Sequence, residues 1–544
     1  MFASLTLRPK PGFALTLLLG TFLTTVAVRL AHPASATHEN SDATYHALLT
    51  ATALREQPIR THFLLPTVTL GHEPQDVLPW GSTVRTVGDA YVYTSFTSAA
   101  FVVLSAFQAL LPGLSPLNAL LLLGLLIHAA SAFLLYLTVL KLHQGSRWPA
   151  VAASLAYLTF PETLVSHGHV YWAHSLFQPL YHGVLLQCVR IWSVPSARLR
   201  SHFFLGVLVF VSAWVEWSGF ILALGVSLCG LAHTWTQRGD YRQKLLAGLP
   251  LLSVGLAGVS IISHFVVGIS APELLARLQE RSSHRSGSLR DLFDFGPLYW
   301  GSLRWFLPVA AVGAFGLLRR NTSDGLRRSV AFVAALLLLE HCLLVNHARI
   351  YHFDRLKGAT LAALLVGEAA RFFASSRLRS LILATILGGA GIAALLNYST
   401  FRVRELPLAQ TNQVIDGASA WSRGNPPSYW AFASSTRGFL TLKAQRGVGE
   451  WLNDVDTVGR ISRSYGTRTY VWLAGEYHED TYGVPILKGF VAINEAEGTT
   501  SGHFLLPCDE AKGIVDGYCG ASPLCTHTFI EDTPGTCTLA PQSD

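Results

Sequence analysis

The sequence predicts a polytopic α-helical membrane protein with about 11 transmembrane helices, an added outer surface helix and a small α/β C-terminal domain. Three observations predict it. Half of the 544 residues are hydrophobic, with a mean hydropathy of +0.37, and only 13% are charged, against roughly 25% in soluble domains. Apolar runs of about 20 residues recur, the length over which a helix satisfies its own backbone across hydrocarbon. Four of the seven cysteines cluster in a polar tail.

The spans follow in order. Residues 12–31 form the first, after Arg8 and Lys10. Further spans are expected near 116–140, 148–165, 173–190, 203–216, 218–235, 245–268, 303–318, 329–346, 357–370 and 381–397. Basic clusters at Arg190, Arg198 and Arg200; at Arg238, Arg242 and Lys244; at Arg319, Arg320, Arg327 and Arg328; and at Arg371, Arg377 and Arg379 all belong inside by the positive-inside rule. Segment 91–111 satisfies that rule only as a helix lying on the outer surface. An odd number of crossings then leaves the N-terminus cytoplasmic and the tail outside. The net charge of +7 is explained by cations retained inside, so nucleic acid is not an expected partner. Ala34-Ser35-Ala36 resembles a signal-peptidase site, which makes cleavage after the first span an open alternative.

The cysteines bear on topology independently. Cys188, Cys229 and Cys342 fall in apolar spans and read as small buried hydrophobes. Cys508, Cys519, Cys525 and Cys537 contain no CxxC pair, which argues against zinc and for two disulfides in an oxidising compartment, all three pairings being open. The chain therefore divides into a transmembrane domain, 1–397, with a large outer loop at 32–115, and an extracytoplasmic disulfide-bonded domain, 398–544. In the latter, Tyr470–Ala474 and Val484–Ile493 read as strands and 436–454 as a helix ending at Trp451 and Leu452. It carries no nucleophile motif, phosphate loop or metal spacing.

Chemistry-bearing residues concentrate in four outer loops. In the first, Glu39 and Asp42 open an amphipathic helix whose apolar face includes Tyr45, Leu48, Leu49 and Leu54. Asp42 is suited to capping that helix, to acting as a base, or to both. The second holds Glu162, His167, His169 and His174, imidazoles that can contact a phosphate, an acceptor or a metal. Glu216 sits in a tight turn between two spans, where an acid is costly and is a functional candidate by default. The fourth gathers His347, Arg349, His352, Arg355 and Lys357 against the positive-inside bias, which points to an anionic partner such as a lipid phosphate. Pairing of Asp354 with Arg355 or Lys357 is the structural alternative. The polar stretch 271–297 has the pattern of a lid or a simple connection.

One span, an acidic loop opening a helix as Asp42-Ala43-Thr44-Tyr45, and a surface helix Tyr91-Val92-Tyr93-Thr94-Ser95-Phe96-Thr97-Ser98 ending near Pro112-Gly113-Leu114 together resemble the GT-C superfamily of integral-membrane glycosyltransferases. Within it the chain is similar to the protein O-mannosyltransferase and aminoarabinose transferase group, over residues 10–400. Many members carry two adjacent acids in the first loop and an Asp in the second; here Ser41 precedes Asp42, and the second loop offers Glu162 and histidines.

The resemblance implies inverting transfer of a hexose or pentose from a polyprenyl-phosphate sugar to a glycan, lipid or protein hydroxyl at the outer membrane face; a bacterial inner membrane is the expected location, and an endoplasmic reticulum protein would show the same topology. Asp42 would be the base, with Glu39 as alternate or partner. Arg349, His352, Arg355 and Lys357 would stabilise the departing phosphate, with His167, His169, His174 and Glu216 as further substrate contacts. No cofactor is implied, although the carboxylates leave room for a divalent metal. A transporter or a non-catalytic scaffold of envelope assembly are the competing classes. The former is disfavoured by the lack of an internal repeat, and the latter would tolerate loss of Asp42 and Glu39.

Overall fold

The computed structural model describes residues 11–31, 41–70, 83–168, 170–193, 199–236, 241–285, 287–319, 322–374, 376–400, 406–435, 438–477 and 485–541. The chain divides into two units. One comprises Met1–Pro33, Ser95–Val266 and Leu275–Phe401; the other comprises Ala34–Thr94, Val267–Leu274 and Arg402–Asp544.

The first unit is helical. Among the described residues five helices are long and apolar enough to cross a membrane: Gly12–Ala31, Pro116–Leu142, Ser218–Thr236, Tyr241–Gly268 and Leu378–Tyr398. The chain is therefore a multi-pass membrane protein. Other expected spans are broken, mixed in polarity, or apolar but short, as in Leu199–Val215 and Leu307–Leu317. The segment 148–165 splits into Arg147–Thr159 and Pro161–Ser166, because Pro161 cannot donate to the preceding turn. The segment 329–346 ends as a helix at Leu343 and resumes as the short helix Val345–Ile350.

The helix Leu356–Phe373 is buried on nearly every side from Leu356 to Ala370. It packs against Arg147–Thr159 and Leu307–Leu317. The latter contact requires Gly313, where a Cβ would lie 1.9 Å from the Leu365 carbonyl oxygen. Such close approach leaves no room for the strongly preferred rotamers of a larger residue.

Segment 91–111 is not one surface helix. Tyr91–Tyr93 is a strand and only Ala99–Leu110 is helical, about 18 Å long at 1.5 Å per residue, too short for a hydrocarbon core of roughly 30 Å. The alternating burial of Tyr91, Val92 and Tyr93 suits a pleat.

Among the described residues the second unit contains two sheets. A short antiparallel pair joins β1, Thr83–Arg85, to β2, Tyr91–Tyr93. Beside it runs the helix Ser41–Glu56, where the sequence predicts one apolar face. In fact every residue from Asp42 to Ala53 is buried. The His46 ring meets Tyr93 and the Tyr45 ring meets Phe439 edge-on at 4.8 and 4.7 Å. Threonines and alanines at its polar positions allow that burial, which larger charged side chains would have prevented.

The larger sheet consists of β3 Tyr429–Phe432, β4 Val448–Gly449, β5 Thr469–Tyr477, β6 Pro485–Asn494, β7 Thr499–Phe504, β8 His527–Thr533 and β9 Thr536–Pro541. Its order is β4-β3-β5-β6-β7-β9-β8, with β3 parallel to both neighbours and the rest antiparallel. β3 is buried throughout, as expected of a parallel strand covered on two faces. Trp472 stacks on Tyr518 with ring centroids 4.0 Å apart in its core.

The expected strand Tyr470–Ala474 lies within β5, and Val484–Ile493 matches β6 from Pro485 onward, Val484 lying outside the described residues, whereas the described part of 436–454 is not one helix. Only Phe439–Ala444 is helical, stopped by Gln445 at φ 54° and followed by β4.

Two disulfides pair Cys508 with Cys537 and Cys519 with Cys525. The first closes a loop of 29 residues and the second a loop of 6. Chain-entropy arguments then assign about 3.5 and about 2 kcal/mol respectively. Thermal unfolding of the full chain is expected to shift further for the Cys508→Ser/Cys537→Ser pair than for Cys519→Ser/Cys525→Ser. Equal shifts would refute that ranking.

Candidate functional site

A cluster of buried charges in the first unit collects several of the predicted residues. His174 enters it from the first turn of the helix Ala173–Trp192, whose N-terminal partial positive charge favours an anion nearby. That anion is Asp354, in the turn His352–Arg355; its Oδ1 lies 2.5 Å from His174 Nε2. Its other oxygen accepts from Nδ1 of His347. Asp354 thus bridges two histidines, one from a distant helix and one close by in the chain. Burial alone would raise the Asp354 carboxyl, but the His347 and His174 imidazoles outweigh it and hold the group well below the usual carboxylate range.

Glu216 lies 3.6 Å from the same His174 nitrogen. It occupies the turn between Leu199–Val215 and Ser218–Thr236, and its Oε2 accepts from the Ser218 backbone N–H at 2.7 Å, satisfying an open donor at the start of the second helix. The turn needs Gly219, because a Cβ there would come within 2.4 Å of the Ala213 nitrogen. Ser218 Oγ in turn donates to Glu340 Oε1 at 2.5 Å. Glu340 also receives the ammonium of Lys357, which is 3.1 Å from Ser218 Oγ. Asp354, Glu216, Glu340, His174 and Lys357 are all at most 3% exposed. Aromatic rings line the cluster: Phe353 lies 5.0 Å and Phe96 6.1 Å from His174, centroid to centroid.

The remaining predicted cations are placed differently. Arg355 is buried and donates to the carbonyl oxygens of Ala348 and Arg349, closing the end of the short helix Val345–Ile350. Arg349 keeps a side chain 40% exposed and pairs with Asp294 at 2.7 Å and Asp291 at 3.8 Å. Segment 271–297 thus supplies acids to this cation. The side chain of His352 lies outside the described residues, as do Glu39 and His169.

His167 does not join the cluster. It stacks on His128 at 5.1 Å and its Nε2 shares a proton with the Tyr157 hydroxyl at 3.2 Å. Its carbonyl accepts from Arg29 Nη1 at 3.0 Å, and Arg29 Nη2 also bonds His128. These contacts with Tyr157, His128 and Arg29 hold the loop histidine inward. Asp42 is in the second unit, 8% exposed, in the first turn of Ser41–Glu56.

Glu340, Ser218 and Arg29 escaped the sequence reading. A lone acid within 329–346 and a lone Arg within 12–31 were the available signals, since an ionisable group inside an apolar span is costly unless it is used. Ser218 carries no such signal.

Three ligand-capable groups, His174, Glu216 and Glu340, lie within 4.8 Å of one another. Glu340 is already paired with Lys357, and His174 Nε2 faces the Asp354 carboxylate, so the charges of this set are met internally.

No protein-family model and no curated protein sequence matches the chain. Its fold is similar to that of a solved archaeal oligosaccharyltransferase and of ArnT. Three solved structures carry that likeness. The Archaeoglobus fulgidus oligosaccharyltransferase in complex with zinc and sulfate superposes with a TM-score of 0.53 at 11% identity, over 96% of this chain and 73% of that one. The same archaeal enzyme, AglB, in complex with an inhibitory peptide and a dolichol-phosphate gives 0.51 at 12% identity, over 97% and 74%. ArnT from Cupriavidus metallidurans, bound to undecaprenyl phosphate, gives 0.52 at 12% identity, over 87% of this chain and 98% of that one. At such identities the likeness is one of fold.

Proposed function

We propose that this chain transfers a sugar from a polyprenyl-phosphate donor to an acceptor hydroxyl at the outer membrane face, with inversion at the anomeric carbon. The observation that carries the reading is the fold shared with two glycosyltransferases whose structures hold dolichol phosphate and undecaprenyl phosphate. A lipid-linked donor keeps the reacting bond at the membrane surface, which is why such chemistry is done by a polytopic protein. The reading includes a transmembrane domain, 1–397, and an extracytoplasmic domain, 398–544, in an inner membrane with the N-terminus inside. Two disulfides in the tail support an oxidising compartment for it.

Three chemical demands assign the roles. The acceptor hydroxyl must lose a proton as it attacks, which calls for a carboxylate base. Asp42 is assigned that role, with Glu39 as its partner. The departing phosphate needs fixed positive charge. Arg349 is assigned direct contact because its side chain is part exposed, with His352 beside it in sequence. Lys357 and Arg355, both buried, contribute to the local field and hold the surrounding backbone. The acceptor, whether glycan, lipid or protein, must be held for in-line attack, a role left to His174 and Glu216 of the buried cluster.

A divalent ion, as in the zinc-and-sulfate form of the archaeal enzyme, fits the distances of His174, Glu216 and Glu340 but not their charge pairing. No step is therefore routed through a metal.

The test is transfer in membranes of expressing cells supplied with a mixture of radiolabelled polyprenyl-phosphate sugars. Label moving to an acceptor only when the chain is present supports the assignment. No transfer from any donor would replace it with the scaffold reading.

A further inference from the structure

The buried cluster meets the demand of a metal site without a metal. His174, Glu216 and Glu340 come from three separate helix ends or turns, and their ligand atoms converge within 4.8 Å. A carboxylate pair with an imidazole is a ligand set that suits zinc or manganese. Yet each ligand is already engaged. Glu340 Oε1 takes the Lys357 ammonium and the Ser218 hydroxyl. Glu216 Oε2 takes the Ser218 backbone N–H at 2.7 Å. His174 Nε2, at 2.5 Å from a carboxylate oxygen of Asp354, spends on that bond the position a metal would need.

Lys357 is held from several sides at once. Its Nζ bonds Glu340, lies 3.1 Å from Ser218 Oγ, and sits 5.1 Å over the centre of the Phe177 ring. An ammonium is a compact cation with three donors, so it can serve two oxygens and a ring face at once. Lys357 lies in the first turn of the largely buried helix Leu356–Phe373, so backbone packing as well as charge fixes where its ammonium lies.

We infer that Lys357 is a built-in cation that stands in place of a divalent metal at Glu340, beside Glu216 and His174, and that removing its charge turns the cluster into a metal site. The inference concerns the cluster alone and holds whatever the substrate is. In Lys357→Met the stem length is kept and the cation is lost. The desolvated Glu216 and Glu340 carboxylates then keep beside them only an imidazole, His174, that Asp354 already engages, an arrangement relieved by a divalent ion or by protonation.

The experiment uses the full chain in lipid nanodiscs, dialysed against Zn²⁺ or Mn²⁺ and then against metal-free buffer, with metal content read by mass spectrometry. Wild type and Lys357→Arg are expected to retain only background metal and to melt at the same temperature with or without EDTA. Lys357→Met is expected to retain about tenfold more metal than wild type and to gain melting temperature saturably with Zn²⁺. Adding Glu340→Gln to Lys357→Met is expected to abolish that gain. Stoichiometric metal in wild type, removed by EDTA with a fall in melting temperature, would overturn the inference. So would Lys357→Met holding no more metal than wild type. Should Lys357→Met fail to fold, the wild-type result decides alone: saturable Zn²⁺ binding that Glu340→Gln removes refutes the inference, and its absence supports it.

Discussion

Asp42→Asn is expected to lower sugar transfer by about 10²- to 10⁴-fold, the usual worth of a positioned general base, with expression and melting temperature little changed. Asn matches Asp in shape, so packing around a residue only 8% exposed is preserved. Only the ability to take a proton is lost. The first turn of Ser41–Glu56 is also a place where the helix dipole favours a carboxylate, so a small loss of stability is expected as well, of the order of 0.3–1 kcal/mol. Initial rates with a radiolabelled polyprenyl-phosphate sugar give the measurement. Glu39→Gln run beside it separates base from partner, the partner giving the smaller loss. Transfer unaffected by either substitution would remove both residues from the site while leaving the fold and reaction class standing.

Asp354→Asn carries the largest expected effect on stability. The carboxylate is 2% exposed and bridges His174 and His347. Breaking a buried pair by neutralising one partner costs about 3–5 kcal/mol, because the remaining charges stay desolvated. The pH dependence follows from the depressed Asp354 carboxyl. A group whose value is lowered on folding contributes stability that is fully present above its unfolded value and is lost as pH falls through the folded one.

The difference in melting temperature between wild type and Asp354→Asn therefore should not shrink as pH falls from 7 to about 4, the ordinary aspartate value. It should close only in stronger acid. Thermal melts of the full chain across that range provide the check. Closure of the gap near neutral pH would mean that the bridge depends on something other than an ionised Asp354.

Several features were legible because they are local. A run such as 116–140 announces its helix by hydropathy alone, and the observed helix is Pro116–Leu142. The tail cysteines announced two disulfides by number and setting, though the pairing of Cys508 with Cys537 required β9 to lie against the helix Cys508–Cys519. Segment 436–454 misled because its apolar spacing fits a helix while Gly438 and Gln445, both at positive φ, confine that helix to Phe439–Ala444.

The candidate site was legible as residue types and illegible as partners. His174, Glu216 and Lys357 stood out because charge in or beside an apolar span must be compensated. Asp354 was read beside its neighbours in the chain, Arg355 and Lys357. A partner distant in the chain, His174, is brought to it by the packing of the helix Ala173–Trp192 beside the turn His352–Arg355. Glu340 went unremarked because one acid in a span says nothing of the lysine that neutralises it.

The sequence by itself determined a membrane protein of many helices, a disulfide-bonded tail and a short set of costly polar residues. Each of these follows from hydropathy and chain chemistry that need no partner. Only the tertiary structure decided which charges meet, because the strength of an ion pair depends on distance and burial, and both are set by contacts between segments far apart in the chain.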